Sequence, residues 1–432
     1  MSLSLIKNAL LIDPSQDLEG EYDLLIEDKL IKAVEPRGGL DDVKVDFTHC
    51  HDGMWLVPGL IDLHVHLRDP GLEWKENIGS GVRAAISGGY TSICSMPNTK
   101  PSNHSAEITK YIINKSQEYN LARVLPIGAI SIDLKGTQMA PLSELFKAGC
   151  VAFSDDGEPV FDAGLMIKAL EWSNMLGCRI SCHEEDKNIS CGGCVNESAI
   201  TTKLGLPAMA TIAEDVMVAR DIELARYTKS KIHICHISSA RGVELVRRAK
   251  NDGIDVTCEV TPHHLVLNDS YLKDFDTNYK MSPPLRSEQE RLALIKGLQD
   301  GTIDAIASDH APHEADSKLC AFEEATFGIL GLQTSLPLTL KFIKDETLSK
   351  LDGFRALSTN PASCFSLPFG SLKVGSHADI VVIDPNHTWS YTADENLSKS
   401  INSPFINENF IGKSKQVFVN GELKLDNFEL KD

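Results

Sequence analysis

Five stretches of this sequence end in side chains that can hold a metal ion or move a proton. Asp62-Leu63-His64-Val65-His66-Leu67-Arg68 is the first, followed by Ser154-Asp155-Asp156, His183-Glu184-Glu185-Asp186, His236 and Ser308-Asp309-His310, each closing an apolar run. Residues two apart on a strand share a face, so His64 and His66 can both point at one ion. Neutral imidazoles with carboxylates suit zinc or a similar divalent ion, and a carboxylate between two ions can bridge them. A single His at a strand end more often caps or packs, so the case rests on the recurrence of such groups at separate strand ends. Asp155 and Asp156 are adjacent and point to opposite faces in extended chain, so only one can be a ligand, and periodicity does not choose between them. His233, inside an apolar run, and His263-His264, just after one, are expected to support the structure or the ligands from behind. His51 and His104 are expected on the surface or in loops.

Alternating apolar runs and amphipathic segments must position these groups. Apolar runs at 56–67, 90–96, 123–130, 150–154, 179–182, 231–235, 255–260 and 303–307 read as eight strands. Segments with apolar residues three and four apart, at 163–176, 213–227, 241–249 and 288–298, read as helices between them. Eight βα units predict an α/β fold of the (β/α)8 TIM barrel type, whose chemistry sits at the C-terminal ends of the strands. The chain ends differ: alternating patterns at 23–27, 378–383 and 416–421 predict antiparallel strands. Residues 1–55 and 367–432 are therefore expected to form one small β-sandwich domain, with the barrel, residues 56–366, inserted between them.

The 432 residues fit this plan, and a formal charge of −19 without Lys/Arg runs argues against nucleic acid and anionic membrane surfaces as partners. The apolar stretch 9–12 stops at Asp13, too short for a signal segment. No run approaches the roughly 18 apolar residues of a membrane span, so a cytoplasmic protein is expected. Eleven cysteines, many inside apolar runs, read as packing thiols. Cys191-Gly-Gly-Cys194 has the spacing of half a zinc site or a redox pair, but no second such pair completes it.

Longer motifs add a family likeness. They are Pro58-Gly59-Leu60-Ile61-Asp62-Leu63-His64-Val65-His66-Leu67-Arg68, Met96-Pro97-Asn98-Thr99, Phe153-Ser154-Asp155-Asp156-Gly157, Thr261-Pro262-His263-His264, Ser282-Pro283-Pro284-Leu285-Arg286, Ser308-Asp309-His310-Ala311-Pro312-His313 and Phe327-Gly328-Ile329. Over nearly its whole length the chain resembles the dihydroorotases of the amidohydrolase superfamily, in particular the class I bacterial type. That resemblance implies two zinc ions, one held by His64, His66 and Asp309, the other by His183 and His236, with Asp156 rather than Asp155 bridging them. Hydantoinases and dihydropyrimidinases bridge with a carboxylated lysine, and residues 150–156 contain no lysine.

By the same resemblance Arg68, Asn98 and His313 would hold the ring carboxylate of dihydroorotate. His66 and Ser282 would also contact substrate, and Phe327 and Gly328 would meet the pyrimidine ring with main-chain groups. An Arg fork suits a carboxylate; the plainer role for Arg68 is a salt bridge to Asp69. Ser282 stands where the family motif has Asn, and a hydroxyl cannot reproduce an amide's paired contacts. The implied reaction is reversible opening of dihydroorotate to N-carbamoyl-L-aspartate in pyrimidine synthesis, with Asp309 carrying the proton. Two other readings compete: a hydantoinase-like hydrolase of another cyclic amide, and a metal-free scaffold for aspartate transcarbamoylase, which would have lost ligands. A homodimer and association with that transcarbamoylase are consistent with the family.

Overall fold

Short aliphatic runs buried on both faces form the barrel, as parallel strands covered by helices must. In the computed structural model, which describes residues 2–431, Leu60–Val65, Tyr90–Ser95, Arg123–Gly128, Ala152–Phe153, Arg179–Cys182, Ile232–Ile234, Val256–Val260 and Ala305–Ile306 are neighbours in that order in one sheet. Every pairing between them is parallel. The circle closes where Val65 bridges to His310 and the His66 N–H donates to the His310 carbonyl at 2.9 Å.

A helix returns the chain after each strand: Ile78–Ser87, Ala106–Tyr119, Leu142–Ala148, Ala163–Leu176, Ile212–Thr228, Ala240–Asn251, Glu288–Gln299 and Ser335–Lys344. Several starts are written locally. Asn77 and Ser80 make a reciprocal capping box, and Ser239 accepts from the Gly242 N–H, caps worth about 1 kcal/mol each. Strand residues such as Val65, Ile93, Ile180, Ile234 and Val260 pack with helix residues such as Val82, Leu170, Val218 and Val246 in the largest apolar cluster. Among the described residues no helix is long and apolar enough to cross a membrane.

Both chain ends build the second sheet, as expected. It has nine strands, and Leu3–Asp13 lies inside it, pairing with Leu18–Glu27, Phe47–Cys50 and Trp55–Pro58. The sheet curls until Gly421 meets the turn between Leu18–Glu27 and Leu30–Pro36: a Cβ there would lie 2.0 Å from the Asp28 carbonyl, and φ is +76°. Ile6, Leu11, Leu24, Ile26, Val382 and Phe418 fill the space enclosed.

One expectation needs correction. The apolar run 56–67 is not one strand: Trp55–Pro58 belongs to the second sheet, and the barrel begins at Leu60–Val65. Gly59 makes the crossing, since a Cβ there would lie 2.2 Å from Thr91 Oγ1; continuous apolarity does not tell which sheet buries a residue. His51, expected on the surface or in a loop, lies in the loop between Phe47–Cys50 and Trp55–Pro58 and is buried there. It is 5% exposed and its Nε2 lies 2.8 Å from Gln416 Oε1, joining the N-terminal and C-terminal parts of the second sheet. His104 is loop-borne as expected, beside Ser102.

Between the strands Ile380–Ser390 and Asn409–Val419 the chain leaves the second sheet and crosses to the barrel mouth. Ser398 and the Lys399 N–H bind the Glu76 carboxylate, and Ser400 Oγ donates to the Lys75 carbonyl at 2.6 Å. Asn402, 2% exposed, accepts from the His313 N–H at 2.9 Å and donates to the carbonyls of Ala311 and Gly328 at 2.9 and 3.0 Å. This strap ties the loop after the first strand to the loops after the last.

Candidate active site

The barrel brings the ends of five strands to one point. His64, on the first strand, places Nε2 3.2 Å from Asp156 Oδ1 and 3.5 Å from Asp309 Oδ1. His66 Nε2 lies 3.1 Å from Asp309 Oδ1 and 3.5 Å from Asp156 Oδ2. His183 Nδ1 and His236 Nε2 are 2.9 Å apart, and each is 3.7 Å from Asp156 Oδ1. All six sequence-predicted ligands are thus together, with one Asp156 oxygen against His66 and the other against His64, His183 and His236. Asp155 turns the opposite way, accepting from the main-chain N–H groups of Ile130 and Ser131 at 2.8 and 3.0 Å.

The donor set fits a divalent ion. His64 Nε2 and Asp156 Oδ1 are buried, aimed at each other and without a hydrogen bond; open buried polar atoms cost about 1–3 kcal/mol each, a cost that a cation between them would remove. Burial alone would raise Asp156 and Asp309, yet His64 beside both, with His66, holds them below the usual carboxylate range. They are ionised acceptors at neutral pH. His64, Asp156 and His236, and again His64, His66 and Asp309, bring one ligand atom each to within 4.8 Å of one another.

Orientation comes from a further layer that sequence reasoning missed. Glu259 Oε1 lies 2.7 Å from His64 Nδ1 and its Oε2 3.1 Å from His233 Nε2. Burial would raise this carboxyl, but bonding to the two imidazoles brings it down to about 2. Accepting a hydrogen bond from His64 Nδ1–H keeps the proton on that nitrogen and leaves the Nε2 lone pair free to ligate. Glu185, 3.5 Å from His183 Nε2 and fixed by Ser190 Oγ at 2.5 Å, does the same for His183. A readable signal existed for Glu259: an acid within the apolar run Val256–Val260 needs a buried partner. Glu259→Gln turns an amide N–H toward one of its two imidazoles, and metal affinity is expected to fall roughly 10- to 100-fold. Competition with a chromophoric chelator measures it; an unchanged affinity would leave Glu259 a packing residue.

His233 and His264 are structural, as expected: His233 Nδ1 meets Thr257, and His264 binds Thr261 Oγ1 at 2.7 Å and the Pro283 carbonyl at 3.0 Å. All eleven cysteines are free. Among the described residues no candidate metal group includes Cys191 or Cys194.

Above the cluster opens a cavity of about 450 Å³ walled by His66, Arg68, Asn98, Asp156, Ser282 and Phe327 among others, a size suited to a small ligand. Arg68 is buried with φ +60°, a conformation that costs a non-glycine residue about 1–3 kcal/mol. Among the described residues no ion pair joins Arg68 to any carboxylate, Asp69 included; Asp69 accepts from Tyr111 Oη at 2.9 Å. Burial pushes the Arg68 guanidinium down to about 10, still charged at neutral pH.

The other predicted substrate contacts divide. Asn98 faces the cavity but its Oδ1 already meets His66 Nδ1 at 2.8 Å, so it also orients a ligand. Ser282 and Phe327 are wall residues. His313 is half-buried, with Nε2 3.3 Å from Arg68 Nη2. Gly328 lies outside the wall, and its own main-chain groups are engaged, N–H with the Lys280 carbonyl and C=O with Asn402. Its missing side chain matters more, since a Cβ would stand 2.5 Å from the Ala311 carbonyl.

Comparison with known proteins bears on the chain as a whole. Residues 53–242 match the family described as Dihydro-orotase-like. The chain is 43% identical over 419 residues to the dihydroorotase of Trichlorobacter lovleyi, covering 97% of this chain and 98% of that one. It is 44% identical over 420 residues to the dihydroorotase of Geotalea daltonii, with the same coverage. Among solved structures, the L-hydantoinase (dihydropyrimidinase) of Arthrobacter aurescens superposes with a TM-score of 0.90 at 24% identity, covering 100% of this chain and 98% of that one. At that identity the likeness concerns the fold.

Proposed function

This chain belongs to the dihydroorotase family of cyclic amidohydrolases, and from that premise we propose that its barrel mouth opens the ring of dihydroorotate, an anionic cyclic amide, to N-carbamoyl-L-aspartate, and closes it in reverse. The observation that carries the substrate reading is a buried guanidinium, Arg68, without a carboxylate partner among the described residues, on the wall of the same cavity as the His/Asp cluster. A guanidinium on the cavity wall that no carboxylate contacts directly, beside hydrolytic machinery, favours a substrate that brings a carboxylate to it.

His64, His66 and Asp309 would hold one zinc ion and His183 and His236 a second, with Asp156 within reach of both sets: its Oδ2 faces His66, and its Oδ1 faces His64, His183 and His236. Such ions, when bound, supply a hydroxide nucleophile at neutral pH and Lewis-acid polarisation of a carbonyl. The chain's own residues do the rest. Asp309, ionised and at the centre of the cluster, takes the proton released as water adds to the ring carbonyl and passes it to the nitrogen as the C–N bond breaks. Arg68, His313 and Ser282 fix the ring so that its amide carbon faces the cluster. Glu259, Glu185 and Asn98 keep the imidazoles turned toward it.

Assaying dihydroorotate, hydantoin and dihydrouracil side by side, with elemental analysis of the same preparation, tests the proposal. Turnover of dihydroorotate well above the two uncharged rings, with about two zinc ions per chain, is the expected result. Preference for an uncharged ring would overturn the substrate reading, and one ion per chain the two-ion reading.

A further inference from the structure

His313 stands between two cations. Its Nε2 is 3.3 Å from Arg68 Nη2 and its Nδ1 is 3.2 Å from Lys75 Nζ. Guanidinium and ammonium groups only donate, whereas a neutral imidazole has one N–H and one lone pair. One ring nitrogen must therefore turn a proton toward a positive charge. The ring is neutral at physiological pH, because burial and then the charges of Arg68 and Lys75 push it down to about 2. The residue is also held in place: Asn402 accepts from the main-chain N–H of His313, and Gly328 lies so close to the ring that a Cβ there would be 2.7 Å from His313 Cδ2.

The two tautomers have different consequences. With the proton on Nε2, Lys75 donates to the Nδ1 lone pair, and the N–H stands on the Arg68 side, where an anion could accept from both groups. With the proton on Nδ1, that N–H opposes the Lys75 ammonium, and the Nε2 lone pair competes with the anion for the guanidinium. Lys75 is anchored for the first arrangement. Its side chain is 17% exposed and 3.5 Å from Glu314 Oε2, its main-chain N–H donates to the Leu72 carbonyl at 2.9 Å, and its carbonyl accepts from Ser400. We infer that Lys75 is a positioning residue that holds His313 in the Nε2–H tautomer, so that Arg68 and His313 together offer donors to an anionic group of the substrate. The identity of that anion rests on the proposed function; the tautomer is a property of the free protein.

Nitrogen-15 NMR of histidine-labelled protein reads the tautomer directly, with the His313 signals identified by their loss in His313→Gln. The wild type is expected to show Nε2–H, Lys75→Arg to keep it, and Lys75→Met to lose it in favour of Nδ1–H or a mixture. Nδ1–H in the wild type, or an unchanged tautomer in Lys75→Met, would overturn the inference. In kinetics, Lys75→Met is expected to raise KM for dihydroorotate roughly tenfold, as loss of a charge-assisted contact does, with kcat much less affected and Lys75→Arg close to wild type. The carboxamide analogue of dihydroorotate, which lacks the charge, should be handled alike by wild type and Lys75→Met; equal loss on both compounds would make Lys75 merely structural. If the wild type does not turn over dihydroorotate, the proposed function fails while the NMR measurement still decides the tautomer.

Discussion

Asp309→Asn is expected to abolish turnover in both directions, by roughly a thousandfold or more, while the barrel stays folded. The substitution keeps size and shape and removes the one property the reaction needs there, the ability to accept a proton. Asp309 follows the eighth strand with φ +44°, and its Oδ1 sits between His66 Nε2 at 3.1 Å and His64 Nε2 at 3.5 Å. Those imidazoles keep it ionised, so it is ready as a base before the ring opens and, by microscopic reversibility, carries the same proton when the ring closes. Both directions should therefore fall together. Because Asp309 also belongs to the ligand cluster, metal content and circular dichroism must be measured on the same sample. Activity within tenfold of wild type, with metal retained, would remove Asp309 from the proton path. Activity restored by adding zinc would assign it to metal binding alone.

How far the site was legible follows from where its parts sit in the chain. The six clustered ligands each end an apolar run, and in a closed parallel barrel every run ends at the same rim, so local pattern sufficed to gather them. The choice of Asp156 over Asp155 needed the family likeness; in the structure Asp156 lies in the cluster while Asp155 accepts from the N–H groups of Ile130 and Ser131. Lys75 and Asn402 carry no such mark. They act from loops, and Asn402 reaches His313 across 89 positions of sequence, a contact that no periodicity encodes. Glu259 was visible only as an anomaly, an acid inside a buried strand. The run 56–67 misled for the opposite reason: burial in either of two sheets leaves the same apolar record, and the punctuation was the pair Pro58-Gly59, with Gly59 small because Thr91 is packed on it.

Arg68→Met is expected to raise KM for dihydroorotate about a hundredfold, since losing a charged bidentate contact costs about 3 kcal/mol, while leaving thermal stability unchanged or raised. The two halves of this expectation have one origin. Arg68 is desolvated, its pKa driven down from its ordinary value to about 10, and its polar contacts within the protein are long: 3.4 Å from Nε to the Pro312 carbonyl, and 3.3 Å from Nη2 to His313 Nε2, which carries its own proton in the inferred tautomer. A buried charge so poorly matched does not stabilise the folded chain, and the left-handed backbone at this residue adds to the cost rather than repaying it. Binding sites tolerate such costs because the missing partner arrives with the ligand. A carboxylate placed against the guanidinium would gain two charge-assisted hydrogen bonds and relieve the desolvated charge at once. If Arg68 were instead part of the scaffold, Arg68→Met should lower the melting temperature and leave KM near its wild-type value. That outcome would leave the cavity without its anion clamp and return the substrate to the wider class of cyclic amides.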